Sequence, residues 1–210
     1  MRFKLLGLVL VSALAASCGG GDEAQPSATP PDLDRQDLRR ALLNAQDAGD
    51  AWAQTANPGP NTVQIGGRVG AASVRPSLAE ATSAFDEKEG PGFVSDTVLL
   101  LRSTEVARAV ITAHEDAAKI REWSQEREDG GVADFTIEGA VQNLPSLGDD
   151  MYAARLKSVI TAADDSTSES SVEYVAFSVG PMVAFVVGQD TTVAVLARRL
   201  ESRVARLLNP

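Results

Sequence analysis

The chain has 210 residues, with 19 basic and 29 acidic side chains, a net charge of −10, one cysteine and one histidine. That length supports one domain with a sizeable core, and so negative a surface repels polyphosphates, which excludes DNA and RNA as partners. Cys18 and His114, each alone of its kind, leave no disulfide within the chain and no zinc site built from Cys and His.

The N-terminus opens with Arg2 and Lys4 ahead of an uncharged, mostly apolar run from Leu5 to Leu14. Ala15-Ala16-Ser17 are the small residues that a signal peptidase requires before its cut. Leu14-Ala15-Ala16-Ser17-Cys18 resembles the lipobox of bacterial lipoproteins, with the leucine one position earlier than usual. The resemblance implies that residues 1–17 are a signal peptide, that the Cys18 thiol takes a diacylglycerol and that Cys18 becomes the first residue of the mature chain. Loss of Arg2 and Lys4 leaves 17 basic against 29 acidic residues, a net charge of −12. Anionic headgroups repel such a chain, so the acyl chains, at about 0.8 kcal/mol per buried CH2, must hold it on the extracytoplasmic face of the cell membrane. The leader is too short for a membrane span, and no later stretch reaches about 18 uninterrupted apolar residues.

Residues 18–32 then read as the lipidated cysteine and a flexible tether. Gly19 to Pro31 holds Gly, Pro, Ser and acids with no large apolar residue, and its 13 residues extend to at most about 45 Å. Residues 33–210 form one domain. A first helix spans Asp34 to Ala48, with Leu38, Leu42 and Leu43 on one face, Asp34 as N-cap and Gly49 as stop. A weak strand is expected at Asn61–Ile65 and a short helix around Leu78–Phe85. Phe93 to Leu101 is a central strand, its end Val98–Leu101 wholly apolar. Ser103 to Glu126 reads as a long helix on the repeat Val106, Val110, Ala113, Ala117, Ile120. Phe135–Val141, Tyr152–Thr161, Val172–Val179 and Met182–Gly188 are strands, the last two joined by a tight Gly180-Pro181 turn. A final helix from Asp190 or Thr191 to Leu208 buries Val193, Leu196, Ala197, Leu200, Val204 and Leu207. The expected architecture is α+β: an antiparallel sheet of five to six strands with helices packed on one face.

Chemistry is scarce in this pattern. His114 sits mid-helix beside Glu115-Asp116, the place of a solvated histidine. No Gly-x-Ser-x-Gly elbow is present, and Gly66-Gly67-Arg68-Val69-Gly70 lacks the Lys-Ser/Thr of a phosphate loop. Asp86-Glu87-Lys88-Glu89, Glu126-Arg127-Glu128-Asp129, Asp149-Asp150 and Asp164-Asp165 fall in loops or helix ends, and none follows the calcium-loop spacing. They read as solubilising charge, with a glycosidase-type pair as the alternative. Neither a catalytic residue nor a metal or cofactor is therefore expected. Trp52, Trp123 and Tyr152 are the candidates to line a ligand cleft, the indoles offering apolar area and one donor each; the alternative is that they pack the edge of the core.

The order of parts carries a resemblance. Leu38-x-x-Ala41-Leu42-Leu43 leads into Gly49-Asp50-Ala51-Trp52, similar to a segment of actinobacterial lipoproteins. Leu144-x-x-Leu147-Gly148-Asp149 precedes a strand, Val179-Gly180 turns a hairpin, and a basic amphipathic helix closes the chain. Over residues 35–208 this resembles the exported sensor-type domains found as lipoproteins and as the extracellular part of mycobacterial Ser/Thr kinases. Many members carry cysteine pairs, which this chain lacks. The resemblance implies an antiparallel sheet with helices and a ligand cleft. The expectation is a membrane-anchored, non-enzymatic module that binds or senses an unidentified small ligand or envelope protein. A carrier of lipid or another apolar molecule, and an envelope hydrolase using paired carboxylates, are the alternatives.

Overall fold

A computed structural model describes residues 31–56, 77–90, 92–126, 131–189 and 193–209. The leader, Cys18, most of the tether and the Asn61–Ile65 segment lie outside the described residues. Eight strands form one antiparallel sheet in the order β1-β2-β3-β8-β7-β6-β5-β4. They are β1 (Trp52–Gln54), β2 (Ala79–Glu87), β3 (Phe93–Leu100), β4 (Glu122–Glu126), β5 (Val132–Gly139), β6 (Asp150–Thr161), β7 (Thr167–Val179) and β8 (Met182–Gly188). Among the described residues four helices accompany them: α1 (Arg35–Ala41), α2 (Ala45–Ala48), α3 (Thr104–Ala117) and α4 (Val193–Leu208).

Two meanders make the sheet. β1 to β3 form the first; the chain then crosses along α3 to the far edge, and β4 to β8 return strand by strand until β8 lies against β3. The crossover corrects the one-sided expectation. α1, α2 and α4 cover one face over Phe85, Val94, Val98, Val175, Phe177, Ala184 and Val186. α3 covers the other, over Leu99, Tyr174, Ala176, Val183, Phe185 and Val187. Val172–Ser178 of β7 and Met182–Gly188 of β8, which alternate between the two faces, are therefore all buried, the pattern of strands with helices on both sides.

Three element readings also change. Leu78–Phe85 is strand rather than helix: Ala81, Ser83 and Phe85 alternate inward and pair with Val98, Asp96 and Val94. The long helix stops at Ala117, and Glu122–Glu126 turns into edge strand β4 paired with Val132–Thr136. Its buried stripe is Ala107, Val110, Ile111, His114 and Ala117, so Val106 and Ile120 face outward. The first helix is broken, because Leu42 leaves it at ψ 153° and Asn44 begins a new one. Asp34 and Asn44 both cap their helices and are answered by Asp37 and Asp47 at the third helical position, so two capping boxes stand ten residues apart. The strand count rises from five or six to eight because β1, β2 and β4 join the sheet. α4 buries Val193, Leu196, Ala197, Leu200 and Val204 as its spacing predicts.

The Leu147-Gly148-Asp149 segment ties loop, hairpin and helix together. Leu147 is 1% exposed in the core. The Asp149 backbone N–H donates to the Ser178 carbonyl at 2.8 Å, and the Asp149 carboxylate accepts from Gly180 N–H at 2.7 Å inside the β7–β8 turn. Gly148 N–H donates to Glu201 of α4 at 2.6 Å. Gly148 has φ +57°, and a Cβ there would stand 1.9 Å from the Ser178 carbonyl oxygen. Gly148→Ala adds left-handed strain to a backbone clash, and roughly 2–4 kcal/mol of destabilisation is expected. Urea unfolding followed by circular dichroism checks it, and a change below about 0.5 kcal/mol would show that the loop relaxes freely.

Candidate functional site

Beyond the first turn of α4, the sheet face that this helix covers turns from apolar to polar. Arg155 of β6 and Glu173 of β7 stand opposite each other in register, with Oε1 of Glu173 accepting from Arg155 Nη2 at 3.2 Å. Glu173 is 6% exposed, a charge set into the otherwise apolar run of β7. Ala194, Val195 and Arg198 of α4 form one wall above it, and Gln142 and Asn143 of the β5–β6 loop form another. The partly open cavity is about 320 Å3, at the small end of ligand sites. Arg198 is exposed and donates from Nη2 to the Asn143 carbonyl at 2.8 Å, with Asn143 in the left-handed region at φ +56°. Val195, 49% exposed, adds an apolar patch at the rim.

A second polar cluster is buried where α1 breaks from α2. Asp96, in the middle of β3, is fully buried. Its Oδ2 accepts from the Leu43 N–H at 3.1 Å, a donor freed by the helix break, and its Oδ1 accepts from the Ser83 hydroxyl. Ser83 Oγ also lies 3.3 Å from the Leu43 carbonyl. Above this layer Arg203 of α4 donates to the Leu42 carbonyl at 2.6 Å and to Asp47 at 2.5 Å, and Arg199 donates to the Asp47 carbonyl. Burial pushes the Asp96 carboxyl up to about 7, opposed by its hydrogen bonds from Ser83 and Leu43 and by the Arg203 charge. When protonated, Asp96 donates to Ser83 Oγ, and Ser83 redirects its own hydrogen to the Leu43 carbonyl. Both protonation states are thus hydrogen-bonded. This cluster acts as a latch on the α1–α2 break. Arg203 and Arg40 also flank an open groove of about 350 Å3 with Arg206, but Asp47 and Asp37 already pair the first two.

Of the predicted cleft residues, Trp52 is set apart from the other two, whereas Trp123 and Tyr152 both pack against the cluster beneath α3. Trp52 lies on edge strand β1, packed beneath Gly92, and Trp123 lies on the opposite edge, β4. Seven strand spacings separate these edges, about 33 Å. Trp123 stacks on Phe135 at 5.2 Å, and its indole N–H is buried with no acceptor among the described residues. Tyr152 packs on the α3 side, 6.3 Å from Tyr174, its hydroxyl pushed up to about 12 by burial and by Glu115. His114 is buried rather than solvated. Its Nδ1 donates to the Val110 carbonyl at 2.7 Å, its ring lies between Tyr174 and Phe185, and burial lowers its pKa. The acidic pairs serve locally: Asp86 accepts from Thr55, Asp150 pairs with Arg108 at 3.1 Å, and Asp164 accepts from Ser166. Among the described residues, no three His, Cys, Asp or Glu gather as a metal site.

Sequence reasoning missed Arg155, Glu173, Arg198 and Asp96. The signal was present for two of them, since Glu173 and Asp96 each interrupt an apolar strand, and a charge at such a place is retained only with partners.

No family model matches the chain, and no curated protein is similar to it in sequence. Its fold is similar to that of the extracellular domain of PknH from Mycobacterium tuberculosis, with a TM-score of 0.59 and 12% identity. The match spans 84% of this chain and 98% of that one. The likeness shows the fold alone.

The Asp96 carboxyl makes stability pH-dependent. Its folded pKa lies above the unfolded value of 3.8, so its contribution is fully present below pH 4 and is lost as pH rises through about 7. His114 works in the opposite sense, its lowered pKa removing stability as pH falls below about 6.5. The comparison of wild type with Asp96→Asn isolates the first effect. The variant is expected to gain on the wild type between pH 4 and pH 8, by roughly 2–4 kcal/mol, in chemical denaturation at each pH. A pH-independent difference would mean that Asp96 is ionised throughout.

Proposed function

We propose that the chain is a lipid-anchored, extracytoplasmic sensing module, without catalytic activity, that holds a small ligand between α4 and the β6–β7 part of the sheet. The observation that carries the ligand reading is the convergence of Arg155, Glu173, Arg198, Gln142 and Asn143 on one small cavity. The extracytoplasmic reading draws on the fold shared with an extracellular domain over 84% of the chain. It also draws on the leader ending in Leu14-Ala15-Ala16-Ser17-Cys18. Among the described residues no helix is long and apolar enough to cross a membrane, so the lipid on Cys18 supplies the attachment in this reading. The mature chain floats on a tether of Gly, Pro and Ser, with its folded part held near but not against the headgroups. Among the described residues, no acidic pair singled out in the sequence lines that cavity, which favours binding over hydrolysis. The two sheet faces are filled by packed side chains. This favours a small polar ligand over a lipid cargo.

Two measurements test the reading. Cys18→Ala is expected to move the protein from the detergent-rich to the aqueous phase on Triton X-114 partition, together with loss of fatty-acid label; unchanged partition would overturn the anchor. Native mass spectrometry of the chain released from its own membrane is expected to show added mass beyond the acyl chains that disappears on denaturation. A clean acylated mass would turn the reading toward a protein partner.

A further inference from the structure

The ligand pocket carries two guanidinium groups and one carboxylate. Arg155 and Glu173 offset each other across 3.2 Å. Arg198 has no carboxylate partner among the described residues, and its one hydrogen bond in the pocket is to a backbone carbonyl. A chain whose net charge is −10 thus presents, at the mouth of its polar cavity, a guanidinium with no ion-pair partner among the described residues. The local field there selects an anion although the whole surface repels one. A guanidinium offers paired donors matched to a carboxylate, with four N–H groups left after the bond to Asn143.

The floor adds a second requirement. Glu173 is nearly fully buried, and only its Oε1 is paired with Arg155. An ionised carboxylate accepts at both oxygens. Oε2 has no protein partner among the described residues and is not sealed from solvent, so it opens on the cavity as an acceptor. A ligand that displaces water from it must supply a donor, and a second cation there would crowd Arg155. A neutral hydroxyl meets the need without added charge. The side-chain amides of Gln142 and Asn143 offer further donors and acceptors from the loop, and Val195 offers apolar surface to C–H groups.

Resting on the proposed function of this same pocket, we infer that its ligand is a small monoanionic hydroxy-carboxylate, of the hydroxy-acid or uronic-acid class. Its carboxylate lies on Arg198 and a hydroxyl donates to Glu173. Bound, the three protein charges and the ligand sum to zero, and the cavity of about 320 Å3 takes a single sugar-sized unit.

The test uses the full chain in detergent, titrated by calorimetry and by 15N NMR with glucuronate, gluconate, lactate, acetate and glucose. Glucuronate or gluconate is expected to bind saturably, shifting resonances of residues 142–143, 155, 173 and 194–198, and more weakly as salt rises. Gluconate or lactate in place of glucuronate as the tight binder assigns the free hydroxy-acid source rather than the uronate one. Acetate, without a hydroxyl, and glucose, without a charge, are each expected to bind at least about tenfold more weakly, as loss of one charged or polar anchor requires. Arg198 is exposed, so Arg198→Gln keeps the fold and is expected to weaken glucuronate by about tenfold or more while leaving glucose unchanged. Equal binding of glucose and glucuronate, or no saturable shift with any hydroxy-carboxylate up to about 10 mM, would overturn the ligand class. A neutral or cationic native ligand shifting the same residues would overturn the class and leave the sensing reading standing. Native mass spectra without any ligand, together with silent titrations, would remove both.

Discussion

The pairing of β3 with β8 is the seam on which the architecture depends. Seven register pairs, from Val94↔Gly188 to Leu100↔Met182, join two meanders that are otherwise complete in themselves. Because the strands on either side are antiparallel and the connection between the meanders must reach the far edge, the intervening chain has to cross a face of the sheet. α3 is that crossing, and its apolar stripe buries the face that the other helices leave open. Gly188 shows how tight the seam is: a Cβ at that position would lie 2.9 Å from the Phe93 carbonyl oxygen and from Val94 Cγ2.

Covering both faces removes water from β7 and β8 and sets the terms for every charge left inside. Asp96 and Glu173 sit on the same face of the sheet, both beneath elements that contact α4, and each has a different solution to burial. Asp96 is met by neutral donors and by the end of a broken helix, so its carboxyl shifts toward the protonated form. Glu173 is met by a guanidinium at the border of the packed region, where β6 and β7 run out from under α4. The first arrangement closes the structure around the charge; the second leaves an opening beside it. The pocket is thus a by-product of where the helix layer ends, furnished with polar groups that the core could not hold.

Much of this organisation was legible in the sequence. The 3–4 spacing of α4, the alternation of β6, and Gly180-Pro181 as a hairpin turn all stand where the residues place them, the glycine at φ +52°. The continuous apolar runs Val98–Leu101 and Met182–Val187 already carried the sign of a sheet covered on both sides, since one-sided strands alternate. The repeat Val106 to Ile120 misled because its period fits a helix whose buried stripe is rotated by one residue, through His114. The end of that helix was hidden because Trp123 and the acids around it have no strong preference; the pairing of β4 with β5 decides their state, and a pairing partner is not a local property. The same holds for Ala79–Glu87, where small residues fit either structure. Trp52 is set apart from Trp123 and Tyr152 for a related reason. Aromatic content gives no information on distance, and the crossover sends the two tryptophans to opposite edges. Charged residues inside apolar strands were the better guide.

The seam between β3 and β8 also sets an order of events. Its paired residues are 82 to 94 positions apart in the chain, so closing it requires a long loop to be drawn in. β1 to β3 are made first, yet the edge of β3 stays open until β8, near the end of the chain, is available. Each meander, by contrast, has only neighbouring strands to pair. Docking of the two across the β3–β8 seam is the long-range step. Until β8 arrives, the edge of β3 keeps a row of backbone N–H and C=O groups unpaired, the condition under which a sheet edge pairs with another chain.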